Sequence, residues 1–240
     1  MTVGAMGRSG QGGQALRRTA AACLLALLTG CASGPPPADW QLNAHSLLES
    51  YGKHYLDGDT PLAERHFERA RAEIARTGRL DLVARAELTR CAVRLAALET
   101  GPCTAFERLA THAGEEDQAY ARFLTGDWQG LDANRLPTHY RGLLAAREDA
   151  TRLRALEEIK APLPRAIAAG ALFRAGGAAP EVIALATRTA SDQGWRRPLL
   201  AWLEVQAKRA EAAGDQAGLE LIRRRIELVQ SSLAGRNAPP

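Results

Sequence analysis

From Asp39 onward the apolar residues recur at steps of three and four, and few segments alternate with a period of two. That spacing places them on one side of successive α-helices. Trp40, Ala44, Leu47, Tyr51 and Tyr55 make the first such side, over Asp39 to Leu56, and Gly58-Asp59 breaks it. Thr60 reads as the N-cap of a second helix, with Pro61 in its first helical position and Gly78 as its end. Its stripe is Ala63, Phe67, Ala70 and Ile74. A third helix, Leu80 to Leu98, aligns Ala84, Leu88, Cys91, Leu95 and Leu98. Short helices are expected at Thr104 to His112 and Glu115 to Thr125, followed by irregular chain from Gly126 to Pro137 and helix from Tyr140 to Lys160. Pro164, Pro180 and Pro198 each sit in the first turn of a further helix. The last pair is Pro198 to Ala213 and Gln216 to Leu233, the latter striped by Leu219, Ile222, Ile226, Val229 and Leu233. Ala, Leu, Arg and Glu, all strong helix formers, dominate the chain. The expected fold is all-α, an array of antiparallel helical hairpins, because a one-sided stripe is buried only against another helix.

Gly58-Asp59 followed by Ala63, Phe67 and Ala70 resembles the turn and second helix of a tetratricopeptide repeat, and Gly214-Asp215 with Leu219 and Ile226 echoes it. The resemblance implies stacked hairpins, the small alanines allowing close approach. Gly101 to Gly194 carries no clean period, so the expected array is irregular.

The N-terminus reads as an address. Arg8, Arg17 and Arg18 precede an apolar run from Thr19 to Leu28, and no acid occurs before Cys31. The run is too short for a membrane-spanning helix of about 20 residues and suits the apolar core of a secretory signal. Either Met1 or Met6 is the start. Arg17-Arg18 lacks the rest of the twin-arginine motif, which favours the general secretory route. Leu28-Thr29-Gly30-Cys31 resembles the bacterial lipobox. The resemblance implies cleavage between Gly30 and Cys31, with diacylglycerol on the Cys31 thiol and an acyl group on the new amine. Two or more chains anchor a protein stably. Ala32 at the next position implies the outer membrane, facing the periplasm. The expected organisation is a signal peptide over 1–30, a lipidated Pro-rich tether over 31–38, a helical periplasmic domain over 39–235 and a disordered tail over 236–240.

Without residues 1–30, 28 basic residues face 27 acidic ones, so the net charge of +4 is largely the signal's. That balance gives no argument for a nucleic-acid partner, and a periplasmic address argues against one. Cys23 leaves with the signal and Cys31 is acylated. Cys91 and Cys103 remain, an even pair in an oxidising compartment, and are expected to form a disulfide; two separate buried thiols are the alternative. The bridge requires Glu99-Thr100-Gly101-Pro102 to fold back along the third helix.

No catalytic constellation stands out. Glu49-Ser50 resembles the acid of lytic transglycosylases, but the later Gly-Leu-Met-Gln-like segment of that family is missing, and Glu49 reads as a solvated helix residue. The histidines at 45, 54, 66, 112 and 139 include no i, i+4 pair, so no metal is expected. No phosphate loop or nucleophile elbow occurs. The possible partner contacts are Trp128, in the irregular stretch, and Arg223 and Arg224 in an arginine triplet. The triplet reads either as contact with an acidic partner or anionic headgroups, or as a solvated face paired with Glu220 and Glu227. The expected function is a non-catalytic interaction scaffold for another envelope protein, with no cofactor beyond the acyl chains. A cell-wall binding or remodelling factor is the alternative.

Overall fold

A computed structural model describes residues 1–2 and 36–234. The described residues from Asp39 onward fall in one compact unit. The lipobox, including Gly30 and Cys31, and the tail at 236–240 lie outside the described residues.

The described chain is all α-helical: α1 Asp39–Leu56, α2 Thr60–Ala75, α3 Leu80–Ala96, α4 Thr104–Glu107, α5 Glu115–Thr125, α6 Thr138–Ala145, α7 Asp149–Glu158, α8 Pro162–Arg174, α9 Pro180–Asp192, α10 Arg196–Ala212 and α11 Gln216–Ala234. Short 3-10 turns at Ala110–His112 and Ala133–Arg135 fill connections. The N-cap of α2 is Asp59 and not Thr60. The Asp59 carboxylate accepts from the Leu62 N–H at 3.1 Å, which leaves the Thr60 hydroxyl for a distant arginine. The helix expected from Tyr140 to Lys160 is two, α6 and α7. The chain is extended at Ala146 and Glu148, where a reciprocal cap restarts helix: the Glu148 N–H donates to Thr151 Oγ1 at 3.2 Å.

Adjacent helices pair as hairpins: α1 with α2, α8 with α9, α9 with α10, and α10 with α11. Two helices form the centre. The sequence gives α3 one apolar stripe, yet Val83, Ala86, Ala92, Val93 and Ala96 are buried as well as Ala84, Leu88 and Leu95. In α8 every residue from Ala166 to Leu172 is buried. Small side chains let α3 and α8 approach closely. A Cβ at Gly170 would stand 2.5 Å from the Leu95 carbonyl oxygen, so only glycine fits there. The α10 helix closes the array by returning to α1. Its Trp202 is fully buried, stands edge-on to Phe173 and donates its indole N–H to the Ala96 carbonyl at 3.3 Å. Arg197 fastens the same end, donating to the Tyr55 carbonyl at 2.9 Å and to Thr60 Oγ1, with its guanidinium 4.4 Å from the Tyr55 ring centroid.

Cys91 and Cys103 are bonded, their Cα atoms 6.0 Å apart. The fold-back takes place at Leu98, whose φ of 57° is left-handed, and the Glu99 N–H closes on the Arg94 carbonyl at 3.1 Å. A left-handed leucine costs on the order of 1–2 kcal/mol. The covalent closure and the burial of Phe106 just beyond it offset that cost.

Candidate functional site: an apolar groove along α1

The α1 helix has two apolar sides. Ala44, Tyr51 and Tyr55 are buried, and Tyr51 packs on Phe67 of α2. A second line, Leu48, Gly52 and Leu56, is centred about 80° further round at 3.6 residues per turn and faces a groove of about 460 Å³. The opposite wall is Val93 and Thr89 of α3, Leu163 of α8 and Trp195 at the N-cap of α10. Gly52 forms the floor because it lacks a side chain. A Cβ there would meet Val93 Cγ2 at 3.8 Å, an ordinary contact, so the groove exists by omission and not by backbone need.

The groove is predominantly apolar with a sparse polar rim. His45 Nε2 lies 3.3 Å from Glu49 Oε1 on that rim. The Lys53 ammonium and the Trp195 indole N–H have no hydrogen-bonding or ionic partner among the described residues. Its walls come from helices fixed by the core, since α3 and α8 are the most buried elements. A hollow of comparable size, about 490 Å³ between α6 and α7, sets Ala145, Ala146 and Ala155 among the charged side chains of Arg147, Glu148, Arg154 and Glu158 and has no large apolar side chain in its lining. Ligand pockets are typically apolar with a few polar groups at the edge, and the α1 groove fits that description better.

Glu49 reaches this rim but is 69% exposed and paired with His45, unlike an acid held in an apolar cleft. Trp128 is half-buried. Its ring stacks on Phe123 with centroids 5.4 Å apart, and its N–H donates to the Phe123 carbonyl at 2.9 Å. Arg223 and Arg224 lie on α11, remote in sequence from the groove elements, and pair with Glu211 at 4.0 Å and Glu220 at 3.1 Å. Neither Trp128 nor the two arginines are among the residues that line the groove. Of the residues that do, Leu48, Gly52 and Leu56 carry one sequence signal: a second i, i+4, i+8 line in a helix already striped, with a buried glycine in its middle. Among the described residues no group of three His, Cys, Asp or Glu side chains is placed to hold a metal, and no helix is long and apolar enough to cross a membrane.

No protein-family description, curated protein or solved structure matches this chain.

Proposed function

We propose that this chain is an outer-membrane-anchored periplasmic lipoprotein, a non-catalytic scaffold that holds another envelope protein through the α1 groove. The lipobox resemblance supplies the address. The observation that carries the interaction role is the groove itself, an apolar trough on a rigid four-helix frame with its floor left open at Gly52. Its chemistry fits bulky apolar side chains from a partner's amphipathic helix. Lys53 and the Trp195 N–H stand at the edge to receive a carboxylate or carbonyl from that partner. Anchors seated in a desolvated pocket carry most of an interface's affinity.

The test is crosslinking in intact cells expressing the tagged protein, followed by detergent purification. One protein should come down with the unsubstituted chain and be lost from the Leu48→Glu and Trp195→Ala variants. Cys31→Ala should abolish membrane recovery as well. Equal recovery from the groove variants would refute docking at this site. Recovery of peptidoglycan-linked material instead would favour a cell-wall role.

A further inference from the structure

The α11 helix packs chiefly on α10, burying Leu219 and Ile226 there in a small cluster separate from the main core. Its other side holds two leucines in water. Leu221 is 62% exposed and Leu228 72% exposed, on the side turned away from α10. They lie seven residues apart, two helical turns, and therefore form one line. Arg224 projects on one flank of that line and Arg225 on the other. Arg224 is tied to Glu220, while Arg225 has no partner among the described residues. The arc from Ala217 through Leu228, Leu221 and Ser232 to Arg225 contains no acid. Glu220 and Glu227 sit together further round, beyond Arg224.

We propose that this outward line of α11 is a second membrane contact, lying on an anionic bilayer surface with its leucines at the headgroup–acyl boundary. The inference rests on the anchored-lipoprotein reading. Arginines flanking a narrow apolar ridge suit such a boundary: the leucines enter while the guanidiniums reach outward to phosphates. A protein partner is less well matched. Two leucines fall far short of the roughly 1,000 Å² that a stable protein interface buries. A second copy is disfavoured, because antiparallel pairing of the two leucine lines brings Arg224 near Arg224 of the other chain on one flank and Arg225 near Arg225 on the other. A chain already held at a surface needs no such area, since tethering raises the effective concentration of every weak contact. The tether over 31–38 spans at most about 26–29 Å, close enough to keep the domain near that surface.

The test uses the full chain carrying Leu228→Trp, mixed with vesicles of phosphatidylethanolamine and phosphatidylglycerol whose acyl chains carry bromine. Bromine quenches only a tryptophan at acyl depth. Sedimentation with the vesicles reports attachment through the N-terminal segment, and the quenching that L228W adds over the unsubstituted chain reports α11. Added quenching of severalfold is expected, falling to background when Arg224→Gln and Arg225→Gln are combined with it or when the vesicles are zwitterionic. Sedimentation without added quenching would overturn the α11 contact and leave the anchor standing. Neither sedimentation nor quenching would overturn both. Added quenching that is indifferent to the arginines and to lipid charge would overturn the proposed recognition of an anionic surface.

Discussion

Two buried helical glycines provide a test of how the centre is built, because alanine at each should shift stability in opposite directions. In the middle of a helix, alanine is favoured over glycine by about 1 kcal/mol. At Gly170 the new Cβ would meet the Leu95 carbonyl oxygen at 2.5 Å and the Leu95 Cγ at 3.1 Å. A backbone oxygen cannot swing aside, so α8 must move off α3 across the most buried contact in the molecule. Overpacking of this kind costs about 1–3 kcal/mol, and the upper end applies where backbone is the obstacle. The net expectation for Gly170→Ala is a loss of roughly 2 kcal/mol, or about 4–8 °C in melting temperature for a domain of this size. At Gly52 the nearest obstacle is Val93 Cγ2 at 3.8 Å, so Gly52→Ala should retain the helix gain and raise the melting temperature by about 2–4 °C. Thermal unfolding followed by far-ultraviolet circular dichroism, with urea midpoints at unchanged slope as a check, reads both. A Gly170→Ala protein as stable as the parent, or two variants shifting the same way, would refute the close-packed α3–α8 contact.

Other perturbations have equally definite outcomes. Reducing the Cys91–Cys103 bridge, or replacing both cysteines by alanine, should cost roughly 3 kcal/mol for a closed loop of about 13 residues. Thiol titration of the oxidised, unfolded chain should find neither cysteine free. Arg197→Ala should destabilise by about 2 kcal/mol, because charged hydrogen bonds to the Tyr55 carbonyl and Thr60 are lost together. Lysine should not rescue it, since it lacks the planar fork that makes those bonds while lying over the Tyr55 ring. The His66 and His54 rings stack with centroids 5.2 Å apart, and partial burial, then the charges of His54, Arg69 and Arg65, hold the His66 pKa below 6.5. The unfolded chain therefore binds the His66 proton first as pH falls. Stability should decline on acidification through and below pH 6.5, and His66→Gln should flatten that decline in pH-dependent urea midpoints. Burial, opposed by Arg94, pushes the Tyr51 hydroxyl up to about 12, so its phenolate absorbance should appear only near that pH in the folded protein, and its loss of proton should accompany unfolding.

What could be read from the sequence follows from where its punctuation lies. Helix α1 matches its expected ends because Gly58 takes a positive φ just after it, and α5 because Gly126 does the same. Helix α2 begins one residue from expectation because Asp, Thr and Pro stand in a row and any of the first two is a fair cap. The break between α6 and α7 had no such mark. Ala146, Arg147 and Glu148 are all good helix formers, and the stop is made by tertiary packing and by the Glu148–Thr151 pair, whose order reverses the usual capping signature. The completeness of burial in α8 was hidden because alanine is neutral in any stripe analysis: Ala166, Ala168, Ala169 and Ala171 carry little hydrophobic signal, yet all are inside. The groove was hidden for a related reason. The stripe through Trp40, Ala44, Leu47, Tyr51 and Tyr55 passes over Leu48, Gly52 and Leu56. Only the arrival of Leu163 and Trp195, more than a hundred residues later, makes those three positions a wall with an opposite side.

The clip between Cys91 and Cys103 also bears on when the domain becomes hard to unfold. A contribution of roughly 3 kcal/mol is a factor of more than 100 in the ratio of folded to unfolded chains. Before oxidation that factor is missing, and the left-handed turn at Leu98 is held by packing and by the Glu99 hydrogen bond to the Arg94 carbonyl. A polypeptide that must pass through a narrow export pore has to be extended while it does so. On the export proposed above, a fastener that closes only in an oxidising compartment would keep the domain pliable on one side of the membrane and lock it on the other.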